Sequence, residues 1–201
     1  VKNGVRQFTG TDRTNFFTNL YDHDIPAAGT PLREATISVG EYFKRTDDQG
    51  PWGQTPGSTG GTQHECRQNF NILMTDGYWT EGSISGMDNS DNQSGSTITN
   101  DSSPATPASY TYSPSSPYSD AYSDTLADVA MHYWKNDLRT DMLNKVPTNA
   151  HDPAFWQHLV NFTVGLGVTG SLSSLPSGSG SWPDPTTSDA AKIDDLWHAA
   201  V

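Results

Sequence analysis

A chain of 201 residues that is only 33% hydrophobic, with 18 glycines and 13 prolines, can build one domain whose core is concentrated in a few segments. Its 23 acidic residues against 11 Lys and Arg give a formal charge of -12 and a pI near 4.6, which argues against a phosphate-backbone partner, so no nucleic acid is expected. No apolar run approaches the ~18 residues that span a bilayer, and the one cysteine, Cys66, excludes an internal disulfide framework and a multi-cysteine zinc site.

The opening Val1-Lys2-Asn3-Gly4 is neither a signal peptide nor a natural start, so the chain reads as an excerpt of something longer. Residues 1–29 are polar and irregular, anchored by Phe8, Phe16, Phe17, Leu20 and Tyr21, with a short helix expected around Asp12 to Leu20. Gly29-Thr30-Pro31 then opens a helix: Thr30 can cap it, Pro31 suits its first turn, and Leu32, Ala35, Val39, Tyr42 and Phe43 recur on one face to about Arg45. Residues 46–65 lack periodicity and read as a loop.

Asn69 to Trp79 forms the centre of the reading, because an apolar run there ends abruptly in Thr75-Asp76-Gly77. Phe70 and Ile72 to Met74 lack polar alternation, which predicts a central strand covered on both faces. Asp76 would fall at the carboxyl end of that strand, where open α/β sheets bind ligands, and is a candidate metal ligand. Asp76-Gly77 is equally a plain turn signal.

Residues 80–122 are dominated by Ser, Asp, Asn, Thr, Pro and Tyr and are expected as a low-complexity surface insertion, exposed for want of aliphatic residues. A helix from about Asp124 to Leu138 follows, with Leu126, Val129, Ala130, Tyr133, Trp134 and Leu138 on one stripe and Ser123 or Asp124 as its cap. Leu159 to Val168 reads as a second buried strand, residues 169–188 as a loop, and the end of the chain as a helix with Ile193, Leu196, Trp197 and Ala200 on one face. Helix alternating with strand implies parallel strands joined by right-handed crossovers, hence an α/β sheet, although two strands are few for a doubly wound one.

Five blocks carry a resemblance: Gly29 to Ala35, Cys66 to Trp79, Thr125 to Trp134, Trp156 to Gly167, and Asp194 to Val201. Together they resemble the von Willebrand factor A-like region of the PilY1/PilC-type adhesins found at the tips of type IV pili. The resemblance implies a Rossmann-like A domain, incomplete over residues 1–201, on an extracellular, pilus-associated bacterial protein. It further implies protein partners, namely a host or surface receptor, minor pilins or the remainder of the same protein. Such domains hold Mg²⁺ or Ca²⁺ in a metal-ion-dependent adhesion site built from an Asp-x-Ser-x-Ser loop, a Thr and an Asp. Thr30 and Asp76 match the last two. The Asp-x-Ser-x-Ser loop has no match, Asp88-Asn89-Ser90-Asp91-Asn92 being the nearest string, and the family places it after a strand upstream of this sequence. A divalent cation is therefore expected to bind this chain weakly or not at all, and Thr30 is also readable as a helix cap.

The six histidines show no paired ligand spacing, and no Gly-x-Ser-x-Gly elbow occurs. Gly165-Leu166-Gly167-Val168-Thr169-Gly170 fits a dinucleotide-binding pattern in spelling but opens into a loop rather than a helix. The leading reading is a binding module and not an enzyme. The alternatives are an α/β hydrolytic enzyme using Asp76 with a nearby His such as His158, and a purely structural fragment of a pilus assembly. Cys66, just before the central strand, is a candidate to pair with a cysteine outside this chain.

Overall fold

The computed structural model describes residues 3–24, 28–177 and 180–201, so Val1 and Lys2 of the opening and part of the 169–188 loop lie outside the described residues. The elements run α1 (Gly10–Tyr21), α2 (Leu32–Phe43), β1 (Phe70–Thr75), β2 (Ile98–Thr99), β3 (Ser109–Tyr110), α3 (Leu126–Lys135), β4 (Val160–Gly165) and α4 (Asp189–His198). β1 and β4 pair in parallel, with Phe70 opposite Val160 and Thr75 opposite Gly165, which bears out the α/β reading in its coarse form. β2 and β3 form a short antiparallel hairpin that the sequence reading did not anticipate.

α3 is the element on which the others converge. Thr125 caps it through a reciprocal pair, its hydroxyl accepting from the Asp128 amide while the Asp128 carboxylate accepts from the Thr125 amide, so the cap is neither Ser123 nor Asp124. α2 and α4 both pack on α3, and all three lie against the sheet. Leu126 and Ala130 meet Leu32, Trp79 and Leu196, while Val129 and Tyr133 meet Phe43, Trp52 and Leu159. Trp52, in the loop of residues 46–65, is fully buried and donates from Nε1 to the Phe43 carbonyl, which ties that loop to the end of α2. α1, which does form where a helix was expected, buries none of its residues.

α2 begins one residue after Pro31, and Thr30 makes no cap: the first turn is closed by Glu81, whose Oε1 accepts from the Arg33 amide at 2.6 Å. The Thr30 backbone is instead tied to Thr80, its amide donating to Thr80 Oγ1 at 2.6 Å and its carbonyl accepting from the Thr80 amide at 3.1 Å. The buried face of α2 carries Leu32, Arg33, Thr36, Gly40, Tyr42 and Phe43, and Ala35 is exposed. Arg33 is buried because its guanidinium lies over the Trp79 ring, 3.7 Å from the centroid, and pairs with Glu81 at 3.2 Å.

Two further expectations are corrected. Neither strand is buried on both faces: Phe70, Ile72 and Met74 are 54, 64 and 61% exposed, and Phe162 and Val164 beside them are 51 and 37% exposed. The helices cover one side of the β1–β4 pair only, so alternate apolar side chains point away from the core. Residues 80–122, expected to lie exposed, contain buried Ile84, Ser90, Asp91, Ile98, Asn100 and Tyr112. Hydrogen bonds do there what aliphatic burial does elsewhere: Lys135 Nζ donates to the Ser90 and Gln93 carbonyls, and Tyr112 Oη donates to the Asp91 carbonyl at 2.6 Å.

Candidate functional site

The carboxyl edge of the sheet is where the sequence points first. β1 ends at Thr75, whose hydroxyl accepts from the Gly77 amide at 3.1 Å, and this turn leaves Asp76 exposed just beyond the strand. Four residues further on, Thr80 is bonded to Thr30, so the segment after β1 returns to the start of α2 and brings the Thr30 region to the same edge. Among the described residues, neither the Asp76 carboxylate nor the Thr30 hydroxyl makes a hydrogen bond or ion pair, which leaves both oxygens available to a ligand. The same edge is closed behind β4 by Asp194 of α4, whose carboxylate accepts from the Ser171 and Leu172 amides at 2.9 and 3.1 Å. Gly170 is required for that approach, since a Cβ there would stand 2.0 Å from Asp194 Oδ1. This accounts for the last glycine of the Gly165 to Gly170 string without any nucleotide, and no helix opens directly from it, residues 171–177 being irregular.

The alternative pairing of Asp76 with His158 is overturned by topology. His158 precedes β4 and Asp76 follows β1, and because the strands are parallel the two residues sit at opposite ends of the sheet. Six residues of strand separate them by on the order of 20 Å. His158 is buried, with Nε2 3.0 Å from Asp152 Oδ2 and Nδ1 2.7 Å from the Trp156 carbonyl, in a packing role.

A second assembly of polar groups lies inside the fold, and the sequence reading missed it. Four aspartates converge on the α3–α4 junction. Asp195 is buried and accepts from Trp79 Nε1 at 2.9 Å and from the Leu126 and Ala127 amides at 3.0 Å, which places a carboxylate at the start of α3 where the helix dipole favours it. Asp128 accepts from the Asp91 amide at 3.1 Å besides serving the cap. The other two, Asp91 and Asp120, each satisfy one oxygen locally and present the other to His198: Asp91 Oδ2 lies 3.6 Å from His198 Nε2, and Asp120 Oδ2 lies 3.4 Å from His198 Nδ1. Asp91 Oδ2 and both ring nitrogens of His198 are buried without a hydrogen-bond partner. Trp182 stacks on the imidazole at 4.3 Å between centroids and anchors its own Nε1 on the Pro117 carbonyl, closing the cluster from one side.

The electrostatics of this cluster are unbalanced. Burial, followed by the charges of Asp128 and Asp120, pushes the Asp91 carboxyl up to about 8, and burial pushes Asp128 up to about 6 against the hydrogen bonds it accepts. Burial also raises Asp195, although its three donors work in the opposite direction. A cleft of about 260 Å³ lies next to the cluster, lined by Arg33, Trp79, Tyr122, Asp124 and Asp184 among others.

Comparison with known proteins gives one consistent result. The chain is 38% identical over 229 aligned residues to a type IV pilus biogenesis factor PilY1 of Pseudomonas aeruginosa strain PAK, and the alignment takes in 99% of this chain and 19% of that protein. The corresponding protein of strain PAO1 is also 38% identical, and that of strain UCBPP-PA14 is 32% identical over 232 residues, again across 99% of the chain. The chain therefore spans about a fifth of the length of these relatives. No family model and no solved structure matches it. Among the described residues, no helix is long and apolar enough to cross a membrane.

Proposed function

Taking as premise that this chain corresponds along its whole length to a segment of PilY1-type proteins, we propose that it is a protein-binding module of a type IV pilus-associated surface protein rather than a catalyst. The observation that carries this reading is the match across 99% of the chain to a type IV pilus biogenesis factor. The module is a von Willebrand factor A-type domain, and its partners are proteins: a surface receptor, other pilus components or the rest of its own polypeptide. Contact is made at the carboxyl edge of the β1–β4 sheet, where Asp76 and Thr30 offer oxygens engaged by no other described residue. Those two oxygens suit a hard cation such as Mg²⁺ or Ca²⁺, which needs about six in all. The rest would come from residues outside this chain, from water and from an acidic group on the partner.

The test uses the protein that carries this segment, unaltered and as Asp76→Ala. Binding of Mg²⁺ and Ca²⁺ by calorimetry, surface piliation and attachment of cells are measured together. The reading expects cation affinity to fall at least tenfold on substitution, with loss of attachment where the module is adhesive, or of piliation where it serves assembly. Unchanged affinity, attachment and piliation would show that Asp76-Gly77 is only a turn.

A further inference from the structure

Two carboxylates and an imidazole buried together, with three of their polar atoms unpartnered, form an incomplete arrangement. An N–H···O bond spans about 2.7–3.2 Å, so His198 at 3.4 and 3.6 Å from Asp120 and Asp91 is hydrogen-bonded to neither. Two ligands each ~2.05 Å from a tetrahedral ion stand about 3.3 Å apart, which is close to the spacing of either carboxylate–nitrogen pair taken alone, Asp91 with Nε2 or Asp120 with Nδ1. One oxygen from each of Asp91 and Asp120 and one nitrogen of His198 all lie within 4.8 Å of one another. We propose that Asp91, Asp120 and His198 hold a divalent transition cation of the Zn²⁺ type, which fastens residues 86–123 to α4.

The neighbouring groups fit that role. Asp128 and Asp195 add negative charge but have committed their oxygens to α3 and Trp79, so they attract the ion without ligating it. The Lys135 ammonium, which feels the charges of Asp91 and Asp128, is drawn off by the Ser90 and Gln93 carbonyls. A single ion takes one ring nitrogen, so the carboxylate that faces the other nitrogen has to turn its free oxygen toward the ion when it binds. The imidazole also sets the ion class. Mg²⁺ and Ca²⁺ select oxygen, whereas an O,O,N set in a dry pocket favours Zn²⁺ over either. This site is thus separate in place and in chemistry from the Asp76 edge.

The experiment measures metal content by mass spectrometry on the intact protein after purification without chelator, then thermal denaturation before and after chelation and on re-addition of Zn²⁺. About one equivalent of Zn²⁺ is expected, with a fall in Tm on chelation that Zn²⁺ restores and Mg²⁺ does not. His198→Gln and Asp120→Asn should each lower Zn²⁺ affinity at least a hundredfold, and Asp76→Ala should leave it unchanged. X-ray absorption of the unaltered protein should report only nitrogen and oxygen ligands, which keeps the test decisive if a variant misfolds. No tightly bound transition metal and no response to chelation would overturn the proposal and leave His198 simply packed between two carboxylates. Zn²⁺ binding that survives both substitutions, or a sulfur ligand in the absorption spectrum, would also overturn it.

Discussion

The two sides of the β1–β4 pair reverse the usual placement of residue types. On the bare side, Ile72 and Met74 are more than 60% exposed, while behind the helices Asp91 and Asp128 are completely buried. Side-chain polarity alone does not decide depth here. An apolar residue stays exposed where no described element covers it, and a carboxylate goes inside where amide donors are waiting for it. Asp195 shows the second case: three N–H donors hold one carboxylate, and with it the start of α3, the Trp79 ring and α4.

The largest effect should follow from removing that carboxylate. Asp195→Leu leaves the Trp79, Leu126 and Ala127 donors buried without an acceptor, and about 3–5 kcal/mol of stability should be lost. Urea denaturation at pH 7 measures it. A loss below about 1 kcal/mol would mean that the helix-covered side is held by its apolar clusters alone. Next comes Gly40→Ala, at the α2–α3 crossing, where an added Cβ would stand 2.4 Å from the Tyr133 ring. Overpacking there should cost about 1–3 kcal/mol, in contrast to the small gain an alanine gives at an open helical position.

Asp152 gives a prediction that depends on pH. Burial by itself raises its pKa, but hydrogen bonds from His158, the Ala154 amide and Trp134 Nε1 outweigh burial and hold it below the usual carboxylate range. The folded state therefore binds that proton less readily than the unfolded chain does. Its contribution is complete above the unfolded value near 4 and disappears as the pH falls through the lowered folded value. Asp152→Asn should cost about 1–2 kcal/mol at pH 7 and much less at pH 2–3. An equal cost at both would assign the effect to geometry rather than charge.

Several elements were legible because their periodicity reports burial directly. The stripes through Leu126, Val129, Ala130 and Tyr133 and through Leu32 and Phe43 predicted α3 and α2 to within a few residues, and the runs at Ile72 and Phe162 predicted β1 and β4. The bare face was not legible, since an unalternating apolar run says that a strand can be covered twice and not whether a cover is present. The β2–β3 hairpin escaped because Ile98 is almost alone in a polar stretch, its burial supplied by Ala154, Phe155 and Trp156 more than fifty residues away in sequence. The buried cluster did leave one local signal in α4. Ala191, Asp195 and His198 recur at helical spacing and are all buried, so the polar residues of that helix mark its inner face. Asp91 and Asp120 carry no comparable mark, because only the folded path of residues 80–122 brings them to His198.

The smallest effect, and the one that sharpens the contrast most, belongs to the bare face. Ile72 and Phe162 neighbour each other across the strand pair in register and are 64 and 51% exposed, so polar replacement removes little burial within these 201 residues. Ile72→Thr should change stability by no more than about 0.5 kcal/mol, the usual range for an exposed position, and threonine keeps the β-branched shape that the strand favours. The same substitution becomes informative in a longer protein that includes this segment. If a further element covers the face there, Ile72→Thr should cost about 1–2 kcal/mol, the difference between exposing and burying an isoleucine side chain. Denaturation of the two lengths side by side separates the cases. Equal small losses in both would mean that the apolar face is open in the longer protein as well, free to meet another molecule, whereas a loss confined to the longer chain would mean that its own polypeptide closes the sheet.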